Sequence, residues 1–400
     1  MILEGVKVLD LTWAALGPMT CDYLALNGAQ VIKAESINRP DPWRTMSPFA
    51  GDEPGIDRAV NFAIANVGKY SMGLNLKDPR GIELAKRLVK WSDVVVESFT
   101  PGSMARLGMS YEDLRKIKPD LIMMSTCMYG QTGALANLPG FGLILTGAAG
   151  ISHLAGWPDR APLPSGSYTD FVAPKFNVLA IVAALDYRRR TGKGQYLDAS
   201  QFESVLHFLT PALLDYTVNG RELVREGNKS PYTAPHGVYR CLGENRWCAI
   251  VVNNDEEWES FCNVLDRTDL VNNPKFSTKL ARLDNADELD VLIETWTQNL
   301  SADEVMNRLQ QADISAGAAL NGEQLDSDPQ LNHRHYYWEV DHSEMGKMSY
   351  SGLSMKMSEN PYKVSRGAPQ LGEHTEYVCT EILNMSTEEF IDMLNDGVFE

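Results

Sequence analysis

Short apolar runs alternate with helical periodicities through the first third of the chain. "VKVLDL" (6–11), "AQVIKAE" (29–35), "SDVVVESF" (92–99) and "DLIMMSTCMYG" (120–130) are apolar and rich in β-branched or Met residues. Between them, "MTCDYLALNG" has helical spacing, a terminal glycine and Pro18 at its first helical position. "PRGIELAKRLVKW" sets Ile82, Leu84–Ala85 and Leu88–Val89 on one face of a helix, and "SYEDLRKIKP" reads as another. Continuous apolar strands separated by helices predict a parallel sheet covered on both faces, an α/β domain.

The pattern then lengthens. Residues 171–190 predict the longest helix, with Val172, Phe176, Leu179 and Ala183 recurring at i, i+4, i+7 and i+11 as its buried face. "RRRTGKG" ends it, its cations suited to a helix C-terminus and its glycines releasing the chain. "QYLDAS" is a strand, and Ser200 with Glu203 forms a capping box for the next helix. Near residue 220 the chain turns polar and loop-like. A hairpin around "GEN", three amphipathic helices and the strand "ISAGAAL" follow, a smaller α+β domain. From about residue 330, "HRHYYWEVDH" and "KMSYSGLSMKM" read as strands and "LGEHTEYVCTEILN" as a final helix.

Four hundred residues suit two domains. A composition of 44% hydrophobic and 22% charged residues is that of an ordinary globular chain, and no apolar run reaches membrane-spanning length. The N-terminus reads as a first strand, not a signal peptide. A net charge of −17 argues against a nucleic-acid partner but leaves room for a local basic pocket. The six cysteines show neither CxxC nor zinc spacing, which fits buried thiols in a reducing cytoplasm.

Candidate chemistry is sparse. Glu35 ends the second strand, where a ribose-binding acid would sit, yet the first turn is "TWAALGP" and not GxGxxG, so dinucleotide binding is disfavoured. Asp170 stands alone in "SGSYTDF" ahead of the long helix. By pattern it is a helix N-cap; with no histidine beside it, a nucleophilic carboxylate is the sharper alternative. Arg106 lies in a glycine-flanked loop, "PGSMARLGM", as a surface ion-pair partner or a phosphate contact. Lys77 in "LNLKDPRG" is solvated or serves similarly. His333 and His335 would share a strand face but have no third ligand nearby, so no metal site is expected.

Seven stretches, in order, resemble the class III CoA-transferases, the family of formyl-CoA and carnitine CoA-transferases. They are "VLDLTWAALGPMTCDYLALNGAQVIKAE", "LNLKDPRGIELAKRLV", "DVVVESFTPGSMARLGM", "PDLIMMSTCMYGQTG", "SYTDFVAPKFNVLAIVAAL", "RRRTGKGQYLDAS" and "APQLGEHTEYV". The resemblance implies a Rossmann-like large domain from both chain ends (1–220 with 331–400), a small domain at 221–330, and an interlocked dimer of like or homologous chains. It implies acyl-CoA and a carboxylic acid as substrates, with no tightly bound cofactor. Asp170 would be the nucleophile, passing through a mixed anhydride and an aspartyl-CoA thioester. Arg106, Lys77, Phe99, Met109 and Ala15 would fall in the CoA pocket.

Three departures narrow the expectation. The formyl-CoA enzyme's first-loop glutamine corresponds to Ala15, its asparagine before "PG" to Ser98, and its glycine-rich lid has no counterpart in 221–260. These disfavour formate and oxalate. With Trp13 and Trp43 available, a bulky or aromatic acid such as benzylsuccinate, with succinyl-CoA as donor, is expected. The rival reading is an α-methylacyl-CoA racemase-like isomerase. Its histidine would align near Leu138, and no histidine lies between 71 and 152.

Overall fold

A computed structural model describes residues 1–400. Two compact units form: one from Met1–Ser152, Pro164–Glu222 and Asn332–Glu400, the other from His153–Leu163 and Leu223–Leu331. The short His153–Leu163 segment, assigned from sequence to the large domain, goes instead with the small one. Arg225 holds it there through the His153 and Trp157 carbonyls, and Gly227 N–H bonds the Gly156 carbonyl.

The larger unit is built on six parallel strands, β1 (Lys7–Leu11), β2 (Gln30–Glu35), β3 (Tyr70–Gly73), β4 (Val94–Glu97), β5 (Ile122–Cys127) and β6 (Gln195–Ser200), in the order β3-β2-β1-β4-β5-β6. Strand periodicity sorts the apolar side chains onto two faces. Leu9, Ile32, Val95 and Met123 pack on Leu84 and Leu88 of the Pro79–Trp91 helix. Val8, Val31, Val94 and Ile122 pack on Cys21 and Leu24 of the Leu16–Leu26 helix and on Ile181 and Ala184. β3 escaped the sequence reading because Ser71 and Gly73 interrupt its four residues. The C-terminal segment covers its open edge: His374 N–H bonds the Ser71 carbonyl, Gly73 N–H the Thr375 hydroxyl, and Asn75 N–H the Val398 carbonyl.

The long helix runs Tyr168–Thr191, but its inner face is not the expected one. Ala173, Asn177, Ile181 and Ala184 are buried, whereas Leu179 is 67% exposed and Val182 40%. The reason is close packing on the Leu16–Leu26 helix, which admits small side chains; Asn177 bonds the Thr20 and Thr126 hydroxyls there. By length and composition this helix is apolar enough to cross a membrane, a property the run-length reading missed.

Later elements of this unit are the antiparallel pair β10 (Tyr337–His342) and β11 (Gly346–Ser351). The stretch from residue 371 gives only a short helix, Thr375–Tyr377, and one wide turn. A Ser386-capped helix, Thr387–Asn395, follows it and was not anticipated. His333 ends a short helix, and neither it nor His335 belongs to a strand. The smaller unit is a three-stranded antiparallel sheet, β7 (His236–Arg240), β8 (Trp247–Val251) and β9 (Ser315–Ala318), around a core that includes Trp258, Phe261, Ile293 and Val305.

Candidate active site

In an open α/β sheet the crevice lies at the carboxyl ends of the strands, where neighbouring connections leave to opposite sides. Here that point falls between β1 and β4. The loops after β1 (Trp13–Leu16), β4 (Ser98–Pro101) and β5 (Thr126–Met128) frame a cavity of about 490 Å³. Trp43, Met46, Leu138, Phe141, Gly142, Ser167, Asp170 and Gln201 complete much of its wall. The wall is largely apolar and carries no lysine, arginine or histidine, and Asp170 is its one carboxylate.

The first loop is held by buried charge. Lys33 Nζ lies 3.0 Å from Asp41 Oδ2 and donates to the Thr12 carbonyl at 2.8 Å. Asp41 accepts the Ala14 and Trp43 N–H groups at 3.1 and 2.9 Å. Ala14 is thereby kept at φ 59°, a conformation non-glycine residues adopt rarely. Ser98 Oγ accepts the Trp13 N–H at 2.9 Å and so ties the loop to β4. Below it, Lys69 pairs with Asp10 at 2.8 Å, and Thr12 bonds the other oxygen of that carboxylate. The expected ribose position, Glu35, is instead occupied structurally, gripping Arg44 at 2.8 Å.

Asp170 is not the helix cap that its position suggested. The helix begins at Tyr168 after Ser167, and Asp170 is its third residue. Its carboxylate turns into the cavity, where Oδ1 accepts from Gln201 Nε2. Gly142 lies against the carboxylate: a Cβ at that position would sit 2.3 Å from Oδ2. Pro174, four residues on, supplies no N–H to the Asp170 carbonyl. Burial pushes the Asp170 pKa above the usual carboxylate value of 3.8, against the lowering effect of bonds from Gln201 and Ser167. Cys127 also lines the cavity, and burial pushes its thiol up to about 11.

Of the other positions suggested by resemblance, Ala15 and Phe99 line the same cavity as Asp170. Arg106 and Lys77 lie outside that lining and are exposed, Arg106 at the end of a short helix, Ser103–Arg106, where it bonds the Ser103 hydroxyl at 2.8 Å, and Lys77 in the turn after β3. Met109 is fully buried in the core against the sheet. One lining residue, Gln201, and one neighbour of the lining, Arg39, went unseen. Gln201 looked like the start of a capped helix, and only its place at the C-terminal end of a strand hinted at more. Arg39, in the proline-flanked loop after β2, places its guanidinium 4.9 Å from the centre of the Trp13 ring, which meets Phe99 edge-on at 6.1 Å.

A doubly wound sheet with a lone carboxylate in an apolar crevice is compatible with covalent acyl chemistry but does not define it. Comparison with known proteins makes the class definite: residues 3–375 match the model of CoA-transferase family III, and the chain belongs to that family. It is 32% identical over 393 residues to the succinyl-CoA–D-citramalate CoA-transferase of Chloroflexus aurantiacus, covering 98% of this chain and 96% of that one. It is 29% identical to the human succinyl-CoA:glutarate CoA-transferase, over 100% of this chain and 90% of that one. A CaiB/BaiF family protein from Brucella suis, known from its crystal structure, is 30% identical with a TM-score of 0.87, covering 95% of this chain and 99% of that one. The chain is accordingly a CoA-transferase with acyl-CoA as substrate.

Proposed function

We propose that this enzyme moves CoA from succinyl-CoA to a carboxylic acid through covalent intermediates on Asp170. Oδ2 attacks the thioester carbon; the new O–C bond forms, the C–S bond breaks, and sulfur leaves with its electron pair as CoA thiolate. The thiolate then adds to Cγ of the mixed anhydride, giving an aspartyl-CoA thioester and expelling the donor acid with Oδ2. The acceptor carboxylate runs the same two steps in reverse. No net proton or electron is exchanged, because a thioester and a carboxylate are consumed and regenerated.

The observation that carries this reading is Asp170 itself: a carboxylate inside an apolar cavity, seated against Gly142 where any side chain would displace it. A poorly hydrated carboxylate is a stronger nucleophile, and an anhydride survives where water is scarce. The succinyl donor is supported by the names of the two relatives. The apolar, cation-free wall with Trp13, Trp43 and Phe99 supports an acceptor with a bulky or aromatic body. The relatives' acceptors, citramalate and glutarate, favour a second reading, a small aliphatic diacid. The isomerase alternative is weakened because Leu138 stands in the wall where its histidine would be needed. Arg39, Arg106 and Lys77, on the segments that follow β2, β4 and β3, would meet the nucleotide's phosphates.

We propose further that two chains associate. Phe171, Leu179 and Val182 of the long helix and Leu213, Tyr216 and Val218 of the Thr210–Asn219 helix are exposed in the single chain. Light scattering should give twice the chain mass.

The decisive test is trapping. Incubation with succinyl-CoA, borohydride reduction and peptide mapping should modify Asp170, and Asp170→Asn should abolish both adduct and turnover. Turnover with no adduct, or an active Asp170→Asn enzyme, would sink the aspartyl route. A panel of acids then distinguishes the two acceptor readings by kcat/KM.

A further inference from the structure

The Asp170 carboxylate is gripped unevenly. Gln201 Nε2 donates to Oδ1, and the same amide nitrogen donates to Thr169 Oγ1 at 2.9 Å. Thr169 spends its own hydrogen on the Gly142 carbonyl, so its oxygen can only accept from the amide. The orientation of the Gln201 amide is therefore set by a chain of donors that ends on the backbone of the glycine facing Asp170. Gln201 is 3% exposed and opens the Gln201–Leu206 helix directly after β6, whose cap is Ser200. Its neighbour Phe202 is pinned by a backbone bond to the Met128 carbonyl at 2.9 Å. Both amide hydrogens of Gln201 are thus committed, one to the carboxylate, on a rigid element.

We propose that Gln201 is a catalytic residue that supplies the oxyanion contact for attack at the aspartyl carbon. This rests on the aspartyl route above. In that route the two oxygens of Asp170 have different fates. Oδ2 forms the bond to the acyl carbon and leaves with the expelled acid. Oδ1 stays throughout as the carbonyl oxygen of the anhydride and then of the thioester. When CoA thiolate adds to Cγ, the S–C bond forms and the carbonyl pair moves onto Oδ1. When the tetrahedral centre collapses, that pair re-forms the C=O bond and the acid departs. The negative charge passes through the one atom to which Gln201 already donates. Donors fixed before the charge develops cost no reorganisation when it does.

The proposal separates the steps. Attack of Oδ2 on the acyl-CoA places charge on the substrate oxygen, out of Gln201's reach, whereas attack of thiolate or acceptor on Cγ places it on Oδ1. Removing the donor should slow the second kind of step and spare the first.

The test is rapid quenching of the full chain with succinyl-CoA, with intact-mass readout of the two adducts. The wild-type protein should pass quickly to the CoA adduct. Gln201→Met, similar in size and without a donor, should accumulate the succinyl adduct and form the CoA adduct about 10²–10³-fold more slowly, the usual loss for one oxyanion donor. Equal slowing of both adducts, or an unchanged rate to the CoA adduct, would overturn the proposal. Absence of any adduct on wild-type Asp170 would instead overturn the aspartyl route on which it stands. A second measurement uses the unaltered sequence: with carbon-labelled aspartate, the aspartyl-CoA carbonyl stretch should fall below that of an identically labelled free thioester in water-poor solvent. An unshifted band would refute the contact whether or not the variant folds.

Discussion

Lys33 and Asp41 form an ion pair with both side chains wholly buried, and the backbone of the first substrate loop hangs from it. Burial works against the Lys33 ammonium, but Asp41, Asp10 and Glu35 outweigh it and hold its pKa above the ordinary lysine value. Breaking one half of such a pair strands a charge, at a cost of roughly 3–5 kcal/mol. Lys33→Met should lower stability by about that much in urea unfolding. Adding Asp41→Asn should recover part of it, because an amide oxygen can still accept the Ala14 N–H without carrying charge. If the double variant is no more stable than Lys33→Met alone, the buried charge is not the source of the loss.

Gly142→Ala should cripple the enzyme without unfolding it. The added carbon would fall 2.3 Å from Oδ2 of Asp170, inside any permitted contact, and the carboxylate would have to move. A displacement of about 1 Å at a reacting atom costs on the order of 10²-fold in rate. The expected result is such a fall in kcat with a nearly unchanged melting temperature. Full activity in this variant would show that the carboxylate can work from another position.

The pH profile follows from the environment of Asp170. The reactive form is the carboxylate, and burial raises its pKa above 3.8. Activity should therefore be complete above that raised value and disappear as pH falls through it. The acid limb of kcat/KM should sit at higher pH than that of an exposed aspartate. A limb at or below 3.8 would contradict the burial argument.

Stability should respond to Asp22 in the opposite sense to a salt-bridged acid. It is buried, one of its oxygens has no hydrogen-bond partner, and burial raises its pKa from 3.8 to about 7, opposed by Lys69. The native state keeps the proton where the unfolded chain has lost it. The contribution is fully favourable below pH 3.8 and is lost between there and about pH 7. A displacement of that size corresponds to roughly 4 kcal/mol. Asp22→Asn should flatten the fall in melting temperature between pH 5 and 8, and an identical slope in both proteins would count against it.

Arg39→Ala and Arg106→Ala should each raise KM for the acyl-CoA by about tenfold with little change in kcat, as expected for loss of one charge-assisted phosphate contact. The effect should shrink at high salt. Kinetics at two ionic strengths decide the matter; a kcat effect with unchanged KM would place these arginines elsewhere in the reaction.

Much of this was legible in the sequence. Strands rich in Val, Ile and Met announced the sheet, and Asp170 stood out because it was solitary. The failures are equally physical. The long helix was turned the wrong way because periodicity marks an apolar face but does not say what covers it. Its true inner face sets the small Ala173 and Ala184 beside Asn177 and Ile181, against the Leu16–Leu26 helix and the sheet. β3 was missed because Ser71 and Gly73 dilute its pattern, and it depends on long-range bonds to residues 374, 375 and 398. Gln201 was invisible because its role depends on Thr169, Asp170 and Gly142, from two distant stretches of chain.

The sheet edge at β3 carries one more implication. Its hydrogen-bonding partners come from the last seventy residues, and the small unit is encoded in between. A growing polypeptide therefore emerges with a bare strand edge and must add about 300 further residues, from Gly73 to His374, before the cover exists. Until then the outer N–H and C=O groups of β3 have no partner from this chain, the exposed edge on which another strand can pair.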